Sequence, residues 1–523
     1  MKETFQNSLN NKNEMTIAWE LVPGRGAREK SQESALKAAE EAAKGDRVHA
    51  LTITDNPGGN PAILADYLGM EILRMGIEPL VHFSCKDKNR YQMESQLYAL
   101  NRAEVNNLLV LTGDYPEALE GRRPKPVFDM DSTHTLELIT KMNNGLEVQG
   151  RKGPIKYHPT SFFTGAAVSP FKATEAEQVT QYFKLEKKVA AGARFIVTQL
   201  GYDARKFHEV LQFLKVHNGD IPVLGNLYIL SYSAAKLMNQ NQIPGCVVPD
   251  KLLAKIEEEK DASDKGLEKR LLRAAKMYAV MKGMGFSGVH IGGHNIKYHQ
   301  VEYIIDKGEE LSIDWQDLAA EFDYPIPGGF YYFEKDKASG LNTTKPVNRE
   351  KLPLNAPVGI TYKISRIMHS IFFDPGKPLY RAMKYLSKAL DGSILERPFH
   401  KLELLLKVGL YDCKDCGDCA LPDTGYVCPM SQCPKNQRNG PCGGSNNGFC
   451  EVNPDRQCIY VRAYSRLKKY GEEEQLRGTQ IPACNWDLYQ TSGWKNFYLG
   501  RDHAAACPVD KAKDKKIKEL AQH

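Results

Sequence analysis

Eight short runs rich in Val, Ile and Leu, each followed by a stretch with helical periodicity, constrain the fold more than any other feature of this chain. They are "TIAWE" (16–20), "VHALTI" (48–53), "PLVHFS" (79–84), "NLLVLT" (107–112), "SFFTGAAV" (161–168), "FIVTQ" (195–199), "PVLGN" (222–226) and "GVHIGG" (288–293). Between them lie amphipathic stretches such as "ESALKAAEEAAKG" and "EAEQVTQYFKLEKKVAAG", the second ending at Gly192, a suitable helix C-cap. Strand–helix alternation implies parallel strands joined by right-handed crossovers. Eight such units predict a closed (β/α)8 TIM barrel, with a doubly wound open sheet as the alternative.

The residues that follow these runs are polar or glycine-bearing. Glu20 ends the first, "TITDNPGGN" follows the second, "HFSCKDKNR" the third, "TGDYPE" the fourth and "TQLGYD" the sixth. In a barrel these positions share the C-terminal rim, where binding and catalysis concentrate. The barrel is expected over 16–310, after a flexible N-terminus of residues 1–15. The aromatic, Gly- and Pro-bearing stretch "FDYPIPGGFYYFEKDKASGLNTTKP" opens a region, 311–409, expected to pack as a linker, because its aromatics need burial. Cys85 and Cys246, both within the barrel, read as small buried hydrophobes.

Eight of the twelve cysteines then crowd into one segment: Cys413, Cys416, Cys419, Cys428, Cys433, Cys442, Cys450 and Cys458. The polar start "MKETFQNSLNNKNEM" has no apolar signal segment, so a cytoplasmic, reducing setting is expected and disulfides are disfavoured. The opening C-x2-C-x2-C, with Cys428-Pro429 later, echoes the bacterial ferredoxin run. Structural zinc prefers two paired C-x2-C knuckles, and the second half of the segment has none. The first half therefore reads as an iron–sulfur site, and the second is open between a further cluster and zinc. A cysteine-rich metal-binding domain is expected over 410–500 and a basic tail over 501–523.

Charge adds exclusions. The formal net charge is +6, and the densest basic stretch, "DKAKDKKIKEL", mixes signs and reads as a solvated helix; no nucleic-acid partner is expected. No run of apolar residues is long enough to span a membrane.

At its strand ends the chain resembles methylenetetrahydrofolate reductase, on the pieces "WELVPGRG", "TITDNPGGN", "HFSC", "LLVLTGDYP" and "KLEKKVAAGARFIVTQLGYD". The resemblance implies a flavin-dependent barrel that converts 5,10-methylenetetrahydrofolate to the 5-methyl form. It implies Glu20 as the acid that protonates the departing nitrogen and Asp114 as the carboxylate beside pterin and flavin. It further implies Gln199 and Tyr232 as folate contacts, the latter by stacking. Flavin contacts are implied at Thr54, His82, Thr112, Gly113, Ala166, Lys172, Lys184, Lys187 and Lys188. Thr112 stands where the family commonly has arginine and Lys172 where it has histidine, so the flavin is left as FAD or FMN. The three helix lysines, at i, i+3 and i+4, fit a phosphate or, alternatively, a solvated face.

The cysteine segment, with "TSGWKNF" at 491–497, resembles the domain fused to or found beside such reductases of acetogen type. That implies 4Fe–4S clusters, an electron donor that is a ferredoxin or an NAD(P)H-oxidising subunit, and a homo- or hetero-oligomer. No dinucleotide fingerprint G-x-G-x-x-G follows a strand. Two rival readings are a non-catalytic scaffold with a structural zinc domain and a zinc-dependent barrel methyltransferase. The second would need thiolates on the rim.

Overall fold

The computed structural model describes residues 4–478 and 480–506. They fall into two compact units: one of residues 1–128, 132–352 and 442–447, the other of 129–131, 353–441 and 448–523.

The first unit is built on eight parallel strands: β1 (Thr16–Leu21), β2 (Ala50–Ile53), β3 (Glu78–Ser84), β4 (Asn107–Leu111), β5 (Phe163–Val168), β6 (Phe195–Thr198), β7 (Val223–Ile229) and β8 (Gly288–Gly293). They pair in sequence order and close β8 against β1, giving the expected (β/α)8 barrel rather than an open sheet. The strands are buried along nearly their whole length, as a helix-wrapped parallel sheet requires. Registers such as Glu20 beside Thr52 and His290 beside Asn226 bring polar side chains of neighbouring strands to one level.

The N-terminus differs from the flexible segment expected. Phe5–Asn10 form helix α1, capped by Thr4, whose Oγ1 accepts from the Asn7 amide. Phe5 and Leu9 join Ala18, Ala50, Leu80, Leu109, Phe195 and Leu224 in one apolar cluster. The Phe5 amide donates to Glu78 at the start of β3, at 3.0 Å. The helix therefore closes one end of the barrel with two apolar side chains.

Helix α2 (Glu175–Ala190) follows β5 and starts from a capping box, Thr174 with Glu177. The region expected as one linker divides at 352/353. Its first part, with the hairpin Phe333–Lys335/Asn342–Pro346, belongs to the barrel unit. There Arg205 donates to Asn342 and to the Phe333 carbonyl.

The second unit opens with three helices, α3 (Ile360–Phe372), α4 (Pro378–Leu390) and α5 (Glu396–Tyr411). The cysteine segment follows as short turns, and Ile459–Lys468 forms its buried helix. From residue 507 onward the expected basic tail lies outside the described residues. No described helix is long and apolar enough to cross a membrane.

Candidate functional site

The C-terminal rim of the barrel gathers the polar strand ends. Glu20, near the end of β1, His82 of β3 and His290 of β8 place one ligand atom each within 4.8 Å of one another. The Glu20 residue is half-buried, yet its carboxyl is desolvated enough to be pushed up to about 7. Burial pushes the imidazoles down, His82 to about 4 and His290 to about 3. At neutral pH the two rings are uncharged and Glu20 is close to half-protonated. A carboxyl in that state is a weak metal ligand and a well-matched general acid.

Tyr228 of β7 stands next to this group. A Cβ placed on Gly292 would lie 3.1 Å from the Tyr228 ring and 3.4 Å from a Glu20 oxygen. Its phenol is pushed up to about 12, by burial first and by Glu20 second. The Cys246 thiol is likewise pushed up to about 12, by burial first and then by the charges of Asp114 and Glu20, against a smaller lowering by Lys172. This cysteine is buried, as expected, but it faces polar groups. Cys85 is elsewhere, against the Thr135 hydroxyl at 3.3 Å.

Asp114 fixes a loop. Its Oδ2 accepts from the Gly58 amide at 2.7 Å, tying the turn after β4 to the "NPGG" turn after β2. Gly59 is required there, since a Cβ would fall 2.1 Å from the Tyr115 carbonyl oxygen at a φ of +76°. Below it Asp55 accepts from Lys88 at 2.8 Å and from the Ser84 hydroxyl at 2.7 Å, contacts that lower its carboxyl despite burial.

Several buried polar atoms around this rim have no protein partner: Thr52 Oγ1, Thr54 Oγ1, His82 Nε2, Ser169 Oγ, Asn226 Oδ1 and both ring nitrogens of His290. Buried polar atoms are almost always hydrogen-bonded, so a concentration of orphans marks where a polar ligand belongs. A flat heterocycle edged with donors and acceptors, such as a flavin or a pterin, fits that chemistry.

The other expected contacts are distributed as follows. Thr112 and Ala166 are buried, and Gly113 adopts φ +86° where a Cβ would press on Ser84 and Lys86 at 3.0 Å. Gln199, just after β6, turns its Oε1 to the Leu200 amide and its Nε2 toward Gly245. Tyr232 begins a helix, and its hydroxyl donates to Glu257 at 2.8 Å. Lys184, Lys187 and Lys188 are all buried, which rules out the solvated face, and Lys188 donates to the Ala167 carbonyl at 2.6 Å. Lys172 is buried too. Its ammonium donates to the carbonyls of Gly443 and Ser445, the latter at 2.7 Å, in the short segment 442–447 that packs with the barrel.

In the second unit, Cys413, Cys416, Cys419 and Cys428 line one cavity. One side of it is α5, through His400, Glu403, Lys407 and Tyr411. Lys407 donates to Cys419 Sγ at 3.6 Å and pairs with Glu403, which also accepts from the Trp494 amide at 3.0 Å. The Asp415 amide donates to Cys413 Sγ at 3.4 Å. Burial pushes the Cys413 and Cys419 thiols up to about 11. Cys433 and Cys450 are neighbours in a second group, and Cys433 and Cys458 both lie near Tyr460. Cys442 falls in the 442–447 segment of the first unit. Among the described residues no three cysteine sulfurs lie within 4.8 Å of one another.

Sequence reasoning missed Tyr228, His290, Asp55 and Cys484. Cys484 shares a hydrogen bond with Cys416, and both lie beside Arg438. Its separation from the cysteine run hid it, whereas Tyr228 and His290 carried a signal in the alternation of β7 and β8.

Two family models match this chain. One, described as methylenetetrahydrofolate reductase, covers residues 4–304. The chain belongs to that family. The other, described as methylene-tetrahydrofolate reductase C terminal, covers residues 393–487, so the cysteine segment is a recognised companion of this barrel. Members of the reductase family are oxidoreductases acting on a folate. Among solved structures, the chain is similar at 12% identity and a TM-score of 0.41 to a Clostridium thermocellum protein that binds two copies of 5-methyl-5,6,7,8-tetrahydrofolic acid, over 59% of this chain and 99% of that one. It is similar at 13% identity and a TM-score of 0.35 to EDTA monooxygenase from Chelativorans sp. BNC1, over 60% and 95%.

Proposed function

We propose that this protein interconverts 5,10-methylenetetrahydrofolate and 5-methyltetrahydrofolate on the barrel rim, with electrons delivered through the cysteine-rich unit. Reduction takes up two electrons and two protons: one C–N bond of the five-membered ring breaks, the methylene carbon gains hydride and the departing nitrogen gains a proton. A flavin bound at the rim supplies the hydride. The observation that carries the reading is Glu20, an acid raised to about 7 and set among unpartnered polar atoms. It holds the proton for the departing nitrogen. The neutral rings of His82 and His290 each offer one donor and one acceptor to a heterocycle edge. Asp114 keeps the "NPGG" turn in place beside it. Thr54, His82, Thr112, Gly113, Ala166, Lys172, Lys184, Lys187 and Lys188 are the residues assigned to hold the flavin, and Gln199 and Tyr232 the folate.

For the second unit we infer iron–sulfur ligation by Cys413, Cys416, Cys419 and Cys428. The support is their shared cavity and the cationic Lys407 against Cys419. Cys433, Cys450 and Cys458 form the second candidate group.

Anaerobic purification tests both halves. Flavin, iron and acid-labile sulfide are expected together; zinc alone would overturn the electron path. Glu20→Gln should still allow the flavin to be reduced by methyl viologen while folate turnover falls about 10²–10⁴-fold. Normal turnover in that variant would remove Glu20 from the acid role.

A further inference from the structure

Two helices of the second unit are folded inside out. In α5 the buried residues are the ion pair Glu403 and Lys407, 2% and 6% exposed, while Leu405 is 71% exposed. Leu402, Leu406, Val408 and Leu410 are exposed with it. In α3 the buried residues are Tyr362 and Ser365, while Ile360, Ile364, Ile367, Met368 and Ile371 face out at i, i+4, i+7, i+8 and i+11. The Ser365 and Tyr411 hydroxyls share a hydrogen bond at 2.6 Å, tying α3 to the end of α5. A helix normally turns its apolar stripe inward, and soluble proteins seldom expose such stripes unless a partner covers them.

The charge exposed within these helices is basic, and the exposed Asp391 and Asp412 sit just beyond them as the C-caps of α4 and α5. Lys363, Arg381, Lys384, Lys388, Arg397 and Lys401 are exposed on α3, α4 and α5, and no exposed residue of these three helices is acidic. An apolar centre with a basic rim matches an acidic partner with an apolar patch. What kind of partner follows from the other face of α5. Its inward residues line the cysteine cavity, and a helix with its side chains is only ~10–12 Å across. A molecule seated on the leucine face stands one helix away from the four sulfurs.

We propose that the outer faces of α3 and α5 dock a small acidic electron-carrier protein of the ferredoxin type, which passes electrons across α5 to the cysteine site. The inference rests on the reading of that site as a redox cluster. Each carrier gives up one electron, so two dock in turn for every methylene group reduced. An anionic membrane or a second copy of the chain would use similar surface chemistry, but neither accounts for the cavity behind the leucines.

The test uses the full chain, purified without air, and a bacterial 4Fe–4S ferredoxin as the probe. Binding is measured by calorimetry, and reduction of the bound cluster is followed by stopped-flow absorbance with reduced ferredoxin or with methyl viologen, which needs no dock. Leu405→Asp and Ile367→Asp should each weaken ferredoxin binding about tenfold or more and slow reduction by ferredoxin in parallel. The rate with methyl viologen and the iron content should stay unchanged. Lys401→Glu should weaken binding and flatten its salt dependence.

Wild type that does not bind ferredoxin, or variants that bind it as well as wild type, would overturn the proposal. So would vesicle binding (phosphatidylcholine with phosphatidylglycerol), or a dimer, that the same variants abolish while ferredoxin binding persists. Absence of iron, with no bleaching by methyl viologen, would instead defeat the cluster reading; ferredoxin binding and its loss in the variants would still report on the surface alone.

Discussion

Glu20 shows how one side chain ties stability to chemistry. Its folded carboxyl lies at about 7, above the ordinary 4.5, so the folded state holds a proton that the unfolded state releases between these values. Stability therefore falls as pH rises through that window, by up to about 3 kcal/mol. The stability difference between Glu20→Gln and wild type should grow by that amount from pH ~5 to ~8, measured by denaturant unfolding. In the same window the pH profile of methylene reduction should fall as Glu20 ionises. Lys407 is the corresponding residue of the second unit. Lys407→Met strands a buried Glu403 carboxylate and should cost about 3–5 kcal/mol, much of it recovered when Glu403 is also changed to Leu. At this scale the sequence was half legible. Glu20 could be named because it ends an apolar run, and the family resemblance pointed to it and to Asp114 and His82. Tyr228 and His290 carried only the alternation of their strands, and barrel closure brings them to Glu20; Cys484 carried no signal, because a distant turn brings it to Cys416.

Elements were read more securely than residues. All eight strands lie where periodicity put them, since a buried parallel strand is an apolar run with sharp polar ends. β7 runs on to Ile229, past the expected limit at Asn226, and carries Gly225 within it. In the fold it is a packing glycine: a Cβ would fall 2.4 Å from the Met281 sulfur. Helix α1 was missed because a six-residue, mostly polar segment has too few turns to show a stripe. Its contribution is nonetheless large. Phe5→Ala should cost about 3–5 kcal/mol by opening the barrel floor, measurable as a lowered midpoint with an unchanged m-value. The lysines of α2 were misjudged in one alternative for a related reason, because sequence spacing tells which residues share a face but not whether that face is covered.

For the whole molecule, each unit has its own buried core, and seven of the eight cysteines of the run belong to the second. Calorimetry should show two transitions. Removing bound metal with a chelator under reducing conditions should lower one of them and leave the barrel transition in place, because metal ligation contributes directly to the folding of small cysteine-rich units. A single transition that shifts as a whole would show that the units melt together.

The segment 442–447 has a consequence for how the chain is made. Lys172 finds its carbonyl acceptors 271 and 273 residues downstream. At ~5–20 residues per second, synthesis reaches them roughly 15–50 s after the lysine is made. All eight strands and their helices have been translated by then, yet one ammonium at the rim still waits for its partners. Nascent barrels should consequently engage chaperones for longer than barrels that finish themselves. Chains cut after residue 352 should gain stability from Lys172→Met, a change that harms the full-length protein.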